Sequence, residues 1–342
     1  MFKSPNGPGQ KVFIDRNCKY TNCFVSWRRY INDYQKFHTI IITMREAIHY
    51  SAEELPRFRT PYQKFVASSF ESSHNYPVCS NRFNDYFNWT WTFRLDSDCR
   101  LEYIAIRDEH GKVIGPKKTM HWMKVRDMSP NSEELKNSLL SKSRAAAWFV
   151  SNCVTQSGRE IFAKKLAKEL AIYNHTIDVY GDCGNLSCSK RDFSCMKMIR
   201  TTYYFYLSFE NSFSKDYVTE KLLHALQNNA IPIVYGGANY TRFMPDGIYL
   251  NAIKLGVKAL AKKMDNFIRS RKRYAKYFKW KNHYSYHSRS ESKDTDDYCA
   301  FCKLLNNEKK FKEKSVVKNF RKWWDSPDFC SESDKKGFYI QE

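Results

Sequence analysis

The second half of the chain alternates short apolar runs with helix-like segments, and this pattern restricts the possible folds more than any other feature. The apolar runs are Ala146–Ser151, Ile177–Tyr180, Tyr203–Phe209 and Ile231–Tyr235. Helical spacing follows the first run, where Ser157 and Glu160 predict a capping box, and returns over Asp216–Asn228. Strands that alternate with helices through short connections are typical of a parallel sheet of the Rossmann type. The sequence therefore predicts an α/β fold.

The remaining sequence predicts a second domain. The chain has 342 residues, which is enough for about two domains of ordinary size. In its first part, four runs have strand-like composition: Val12–Ile14, His38–Met44, Lys64–Ser68 and Trp89–Arg94. A polar helix over residues 132–143 is expected to link the two halves. A long basic helical stretch over Val257–Trp280 and a closing helix over Val316–Trp324 complete the chain.

The charge of the chain indicates an anionic partner. Lys and Arg number 57 against 36 Asp and Glu, which gives a formal net charge of +21. An excess of this size suggests a polyanion, an acidic membrane surface or a phosphate-bearing substrate. The segment from Arg269 to Lys281 mixes basic and aromatic residues, as nucleic-acid surfaces do. However, its aromatic residues have helical spacing and are expected to pack inward, and no nucleic-acid-binding motif accompanies them.

The cysteines and glycosylation sequons favour an oxidising compartment. The chain has eleven cysteines, so at least one cannot pair within it. Four sequons accompany them, at Asn88, Asn174, Asn185 and Asn239. The alternative is a cytosolic protein that binds zinc through the thiolates of four cysteines, namely Cys18, Cys23, Cys299 and Cys302. Disulfides are preferred over zinc because the spacing of the first pair is loose for a zinc knuckle and no histidine is suitably spaced.

Targeting signals do not resolve the compartment. No stretch approaches the ~18 consecutive apolar residues of a transmembrane helix, and the first ten residues lack the apolar core of a signal peptide. These features and the cysteine count are reconciled if the sequence begins downstream of an N-terminal anchor. We therefore expect membrane attachment only through such an anchor, which this chain does not contain.

Two segments are expected to meet where the predicted parallel strands end, which is where ligands bind in open α/β sheets. One is Ser151-Asn152 with the following helix start, which carries Arg159; the other is the loop 209–221, which ends at Lys221. Two cations at two helix starts could clamp a pyrophosphate. By position alone, the alternative that both are solvated surface residues is favoured.

The segment 206–221, which includes this loop, favours the binding-site interpretation over the surface one. Its residues Y-L-S-F-E-N (206–211) and K-D-Y-V-T-E-K (215–221) closely resemble the signature of the α1,3-fucosyltransferases, which use GDP-fucose. Further segments match the family in the same order: residues 147–153 with Arg159, 178–181, 231–236, 61–65 leading to 70–72, 87–98, and 298–302. The similarity covers roughly residues 10 to 305.

The resemblance implies a GT-B fold, in which two Rossmann-like domains face each other across a cleft. Residues 1–143 would form the acceptor domain and residues 144–342 the GDP-fucose domain, with about 295–342 packing back on the first. It also implies disulfides between Cys18 or Cys23 and Cys299 or Cys302, for which we expect Cys18–Cys299 and Cys23–Cys302. The compartment implied is the Golgi lumen, with a truncated or secreted form as the alternative.

The resemblance implies an inverting reaction that moves L-fucose from GDP-β-L-fucose to an N-acetylglucosamine hydroxyl in α1,3 linkage, on a glycan of a glycoprotein or glycolipid. Glu71 would be the catalytic base. Arg159 and Lys221 would contact the phosphates, and the donor pocket would be lined by Asn211, Tyr217 and Glu220. No metal is expected to be required, although a divalent ion could stimulate activity. The triplet Asp96-Ser-Asp98 is interpreted as structural or acceptor-side, not as a metal site.

Departures from the family pattern leave alternatives open. Ser73 replaces a usual proline after Glu71, and residues 99–103 and 43–46 also differ from the family pattern. All three departures lie in the expected acceptor domain. The alternatives are a catalytically weak fucosyltransferase-like protein and a basic polyanion-binding protein.

Overall fold

The computed structural model describes residues 7–26, 34–51, 53–188, 193–324 and 330. The chain forms two compact units. Unit 1 comprises Met1–Glu102 and Arg289–Glu342, and unit 2 comprises Tyr103–Ser288. The first break thus follows Glu102, whereas the sequence predicts one after residue 143.

In chain order the helices and strands are α1 (Lys11–Asp15), β1 (Thr39–Thr43), α2 (Met44–Ala47), β2 (Lys64–Ser69), β3 (Trp89–Thr92), β4 (Cys99–Arg100), β5 (Ile104–Asp108), β6 (Val113–Gly115), α3 (Glu133–Leu140), β7 (Arg144–Phe149), α4 (Arg159–Ala171), β8 (Ile177–Tyr180), α5 (Phe193–Thr202), β9 (Tyr203–Phe209), α6 (Glu220–Leu226), β10 (Ile231–Tyr235), β11 (Leu250–Asn251), α7 (Ala252–Arg269), α8 (Arg271–Lys276), β12 (Tyr284–Ser288), α9 (Asp297–Leu305), α10 (Glu308–Lys312) and α11 (Phe320–Trp324).

Unit 2 is built on a parallel five-stranded sheet in the order β8-β7-β9-β10-β11. Numbered from its first strand, this is the order 2-1-3-4-5 of doubly wound α/β folds. Alternate residues of β7 face opposite sides: Ala146 and Trp148 pack with α4, α7 and α8, whereas Ala147 packs with residues of α5 and α6. The predicted α/β fold is confirmed, because both faces of the sheet are covered by helices. A small antiparallel sheet, β12-β5-β6, completes the unit.

Unit 1 contains a parallel sheet in the order β1-β2-β3-β4. Every residue of β2 is buried. On one face, Phe301 of α9 stacks on Trp91 of β3 with ring centroids 4.4 Å apart. Helix α9, which comes late in the chain, therefore supplies part of the core around its first strands. Both units have the parallel α/β architecture from which GT-B proteins are built.

Five disulfides cross-link the chain, and they pair ten of its eleven cysteines. Cys18–Cys299, Cys23–Cys302 and Cys79–Cys330 lie in unit 1, and Cys153–Cys183 and Cys188–Cys195 in unit 2. The first two are the pairs that the family resemblance implies. The zinc alternative is wrong for these residues, since their thiols are consumed in disulfides. Cys99 is the remaining cysteine, and it is buried.

Among the predicted helices and strands, the following three also need correction. Val12–Ile14 lies in helix α1 and not in a strand, because Val12 and Phe13 pack with the buried cystines of unit 1. The predicted helix over Asp216–Asn228 begins only at Glu220. The stretch Val257–Trp280 is divided between α7 and α8, and α7 already begins at Ala252. Across the described residues, no helix combines the length and apolarity of a membrane span.

Candidate functional site

The carboxyl ends of β7 and β9 meet at the point where the strand order of the unit 2 sheet reverses, which is where doubly wound folds bind ligands. Hydrogen bonds join the two loops that leave these strands. The Ser157 N–H donates to the Asn211 carbonyl at 3.1 Å, and the Ser157 hydroxyl donates to the Glu210 carbonyl at 2.8 Å. Tyr235, at the end of β10, donates its hydroxyl to the Ser157 carbonyl at 3.0 Å. Ser157, in the loop after β7, thus connects that loop with the ends of β9 and β10.

The predicted capping box at Ser157 and Glu160 does not form. Helix α4 starts at Arg159 with Gly158 as its N-cap, and Gly158 has a φ of 61°. The Ser157 hydroxyl is used on the Glu210 carbonyl instead of the helix. Glu160 turns away from the N-cap and accepts hydrogen bonds from the Thr155 N–H and hydroxyl, at 3.2 and 2.8 Å. The local sequence resembles a cap, but its polar groups stabilise the strand-end loops.

Arg159 is buried at this junction, with 3% of its surface exposed. Its guanidinium donates from Nη1 to the Phe209 carbonyl at 2.8 Å and from Nη2 to the Asn152 carbonyl at 3.1 Å. It therefore touches the ends of both β7 and β9. Burial lowers the pKa of Arg159, and the Glu210 carboxylate opposes that shift. The interpretation of Arg159 as a solvated surface cation is wrong.

Glu210 is the residue at this site to which the sequence analysis assigns no role. It follows β9 directly, with 1% of its surface exposed. Its carboxylate accepts from the Thr219 N–H at 2.8 Å and from the Thr219 hydroxyl at 2.9 Å, and lies 3.2 Å from the Lys221 Nζ. Burial raises the pKa of Glu210, while Lys221 and the Thr219 hydrogen bonds oppose the rise. An acidic residue directly after a seven-residue apolar strand was the available sequence signal.

Lys221 lies beside this carboxylate, with its side chain 18% exposed. Its Nζ donates to the Thr219 hydroxyl at 2.7 Å and lies 3.2 Å from a carboxylate oxygen of Glu220, whose side chain is half exposed. Burial lowers the pKa of Lys221, but Glu210 and Glu220 outweigh burial and the pKa is raised. Lys221 is therefore a held cation at the same strand end as Arg159.

The other expected donor residues lie on the same loop with different exposures. Asn211 is partly buried, and its carbonyl anchors Ser157. Tyr217 is 1% exposed and packs edge-on against Tyr103, with ring centroids 6.3 Å apart. The loop also packs closely on Gly237: a Cβ there would lie 2.9 Å from the Ser214 nitrogen. Only glycine at this position permits the approach.

Glu71, the expected base, lies in unit 1 directly after the strand β2 and the exposed residue Phe70. Its Oε2 accepts from the Asn75 amide at 2.9 Å, and its carbonyl accepts from the Ser69 hydroxyl at 2.7 Å. The following turn is stabilised without the proline usual in the family. The backbone N–H of Asn75 donates to the Ser72 carbonyl at 3.1 Å, and the Ser72 side chain is buried. The local hydrogen bonds thus hold the loop that carries Glu71.

Asp96 and Asp98 are engaged inside unit 1. Asp96 accepts two hydrogen bonds from Arg94, both at 2.9 Å. Asp98 accepts from the N–H and the hydroxyl of Thr90, both at 2.9 Å. Both carboxylates therefore stabilise the turn after β3, as the structural interpretation of this triplet expects.

The four sequons differ in accessibility. Asn174, Asn185 and Asn239 are exposed. The Asn88 amide is used internally: its nitrogen donates to the Ser315 carbonyl at 2.8 Å, and its oxygen accepts from Arg59 and from the Phe65 N–H. This arrangement argues against Asn88 as a glycan acceptor in the folded protein.

Comparison with known proteins decides the family. The fucosyltransferase N-terminal family model matches residues 2–104, and the C-terminal model of glycosyltransferase family 10 (fucosyltransferase) matches residues 139–323. The chain belongs to glycosyltransferase family 10. The family 10 chain is 32% identical over 295 residues to α-(1,3)-fucosyltransferase C of Drosophila melanogaster, covering 83% of this chain and 66% of that protein. It is also 32% identical over 273 residues to α-(1,3)-fucosyltransferase fut-1 of Caenorhabditis elegans, covering 77% and 58%.

The chain thus spans less than two thirds of the length of these curated relatives. Among solved structures, a crystal structure of α1,3-fucosyltransferase with GDP-fucose aligns with a TM-score of 0.46 and 15% identity, covering 76% of this chain and 82% of that one.

Proposed function

We propose that this family 10 chain transfers L-fucose from GDP-β-L-fucose to an N-acetylglucosamine hydroxyl of a glycan, in α1,3 linkage and with inversion. One observation carries the proposal: two buried or largely buried cations, Arg159 and Lys221, lie at the switch point of the unit 2 sheet. The names of the relatives, α-(1,3)-fucosyltransferases, support the same donor chemistry.

The two cations suit a diphosphate leaving group. As the bond between the anomeric carbon and the β-phosphate oxygen breaks, its electron pair stays on GDP, and negative charge grows there. Fixed positive charges of low exposure stabilise such charge more than solvated ones do. Arg159 is fixed by two carbonyls and Lys221 by Thr219 and Glu210, so neither must reorganise. Asn211, Tyr217 and Glu220 would complete the donor pocket.

Glu71 would act as general base in the same step. The acceptor hydroxyl oxygen attacks the anomeric carbon on the face opposite GDP, and its proton passes to the carboxylate. Asn75 donates to Oε2 of Glu71 and so orients the carboxylate. Since the cations already balance the leaving charge, we propose that no metal is required, although a divalent ion could stimulate the reaction.

We further propose that the acceptor glycan is carried on a glycoprotein or glycolipid in the Golgi lumen. Five disulfides support an oxidising compartment of this kind. The acceptor itself is open among core N-glycan, LacNAc and LacdiNAc structures.

The test is a turnover assay with GDP-fucose and these three acceptors, with products identified by mass spectrometry. Glu71→Gln is expected to abolish transfer while GDP binding survives. Glu53→Gln, which alters an exposed carboxylate of unit 1, is the matched control and should leave transfer unchanged. Transfer by Glu71→Gln at the wild-type rate would overturn the base assignment. Tight GDP-fucose binding by the wild type without turnover on any acceptor would instead support the catalytically weak alternative.

A further inference from the structure

The proposed function uses two cations, which leaves most of the excess charge unexplained. A substantial part of that charge lies on two consecutive helices. Residues 252–276, which form α7 and α8, contain nine Lys and Arg against one acidic residue, a net +8 of the +21 for the whole chain. Eight of the nine cationic residues are exposed: Lys254, Lys258, Lys262, Arg269, Arg271, Lys272, Arg273 and Lys276. We call these eight residues the α7–α8 basic face.

Most of this charge is unpaired within the described part of the chain. The one acidic residue, Asp265, accepts from Arg269 at 2.8 Å and is 3.1 Å from His175. Arg271 donates to the Leu140 carbonyl at 2.9 Å. The other six members make no ion pair with any described residue. Helix α4, which packs beside α7, exposes three more lysines: Lys164, Lys165 and Lys168.

The apolar residues of the same helices identify the class of partner. Met264 and Phe267 of α7 and Tyr274 of α8 are buried against the unit 2 sheet. Buried in this way, these aromatic and apolar side chains cannot form a platform on which unpaired bases stack. The basic face also lacks the broad apolar stripe of a helix that enters a membrane interface, since that stripe is already buried in the core. Recognition on this face therefore rests mainly on charge complementarity.

We propose that the α7–α8 basic face binds a sulfated polysaccharide. Such a chain presents closely spaced fixed negative charges without requiring stacking or insertion. It also belongs to the oxidising, extracytosolic compartments that the five disulfides indicate. The inference does not rest on the proposed transfer reaction, because none of these eight residues belongs to the proposed donor site. Its failure would leave that reaction untouched.

The probe is a size-defined heparin oligosaccharide, with its desulfated counterpart, which keeps only the uronate carboxylates, as the control of low charge density. Binding is measured on the full chain by surface plasmon resonance across a series of NaCl concentrations. The wild type is expected to bind the sulfated oligosaccharide and to lose affinity as salt screens the charges. The variant Lys258→Gln/Lys262→Gln/Lys272→Gln should lose about tenfold in affinity, at roughly a twofold loss per exposed contact.

The matched control is Lys309→Gln/Lys310→Gln/Lys312→Gln. It removes the same charge from exposed positions of α10, where Lys310 and Lys312 pair with acidic residues. A change below twofold in this variant is expected. Equal losses in the two variants would overturn the proposal, since binding would then follow net charge alone. Tighter binding to phosphatidylserine vesicles or to single-stranded RNA at the same ionic strength would overturn the choice of partner. Thermal denaturation of both variants checks that the fold is intact.

Discussion

The buried carboxylate of Glu210 links the two cations of the candidate site, and its charge can be removed with little change in shape. Glu210→Gln keeps an oxygen that can accept the Thr219 N–H, now 2.8 Å from the carboxylate. It removes the negative charge that lies 3.2 Å from the Lys221 Nζ and that also acts on Arg159. The variant therefore leaves two cations of low exposure without their shared counter-charge.

The expected cost follows from the exposure of these groups. Removing one partner of a fully buried ion pair costs about 3–5 kcal/mol. Lys221 is 18% exposed and keeps Glu220 at 3.2 Å, so part of its stabilisation survives. We therefore expect the free energy of unfolding to fall by roughly 2–3 kcal/mol. The affinity for GDP should fall about tenfold or more, because Lys221 is then held only by Thr219 and Glu220.

Calorimetric titration with GDP and thermal denaturation measure both effects. A third readout separates positioning from stability. Without Glu210, burial lowers the pKa of Lys221 with less opposition, so GDP affinity should be lost at a lower alkaline pH than in the wild type. Glu133→Gln, at a side chain 79% exposed, is the control and should change none of these quantities. Wild-type stability and wild-type GDP affinity in Glu210→Gln would refute the linking role of this carboxylate.

Three further predictions concern the cysteines, the sequons and pH. Cys99 is the one cysteine outside the five disulfides, so alkylation without reduction should label one thiol after denaturation and none in the native protein, where burial also raises its pKa. Glycopeptide mass spectrometry should find Asn174 occupied and Asn88 unoccupied; a glycan on Asn88 in the folded protein would contradict its internal hydrogen bonds. Burial raises the pKa of Asp297 from 3.8 to about 7 despite Arg289 at 2.9 Å. Its contribution to stability is therefore full below about pH 4 and is lost as the pH rises through 7. The Tm should fall between pH 5 and pH 8, and Asp297→Asn should weaken that dependence.

The strands of unit 2 were predictable because each is a short apolar run between polar connections. Ile177–Tyr180, Tyr203–Phe209 and Ile231–Tyr235 have the same bounds in sequence and structure. β9 was the clearest, since all seven of its residues are buried in a sheet covered on both faces. Local apolar composition suffices to predict a strand when both faces of that strand are buried.

The start of α6 was not predictable from local pattern. Helical spacing extends back to Asp216, but that residue has a φ of 62° and its carboxylate accepts from Arg242 at 2.7 Å. The Thr219 N–H donates to Glu210, which lies nine residues earlier at the end of β9. Neither partner stands at helical spacing from the residue that it binds, so periodicity could not reveal that the loop remains open until Glu220. The extended loop is what places Lys221 next to Glu210.

The same argument separates the two roles of basic residues in this chain. Without the family signature, charge and composition favour the surface for Arg159 and Lys221 as much as for the lysines of α7. What distinguishes the two site cations is that partners outside their own helices bury them: carbonyls at two strand ends hold Arg159, and a buried carboxylate holds Lys221. The cations of α7 and α8 remain exposed because their helices already bury an apolar stripe on the opposite side. A cation held by the fold can stabilise charge that develops at one point, whereas an array of solvated cations can match only a charge that is itself extended.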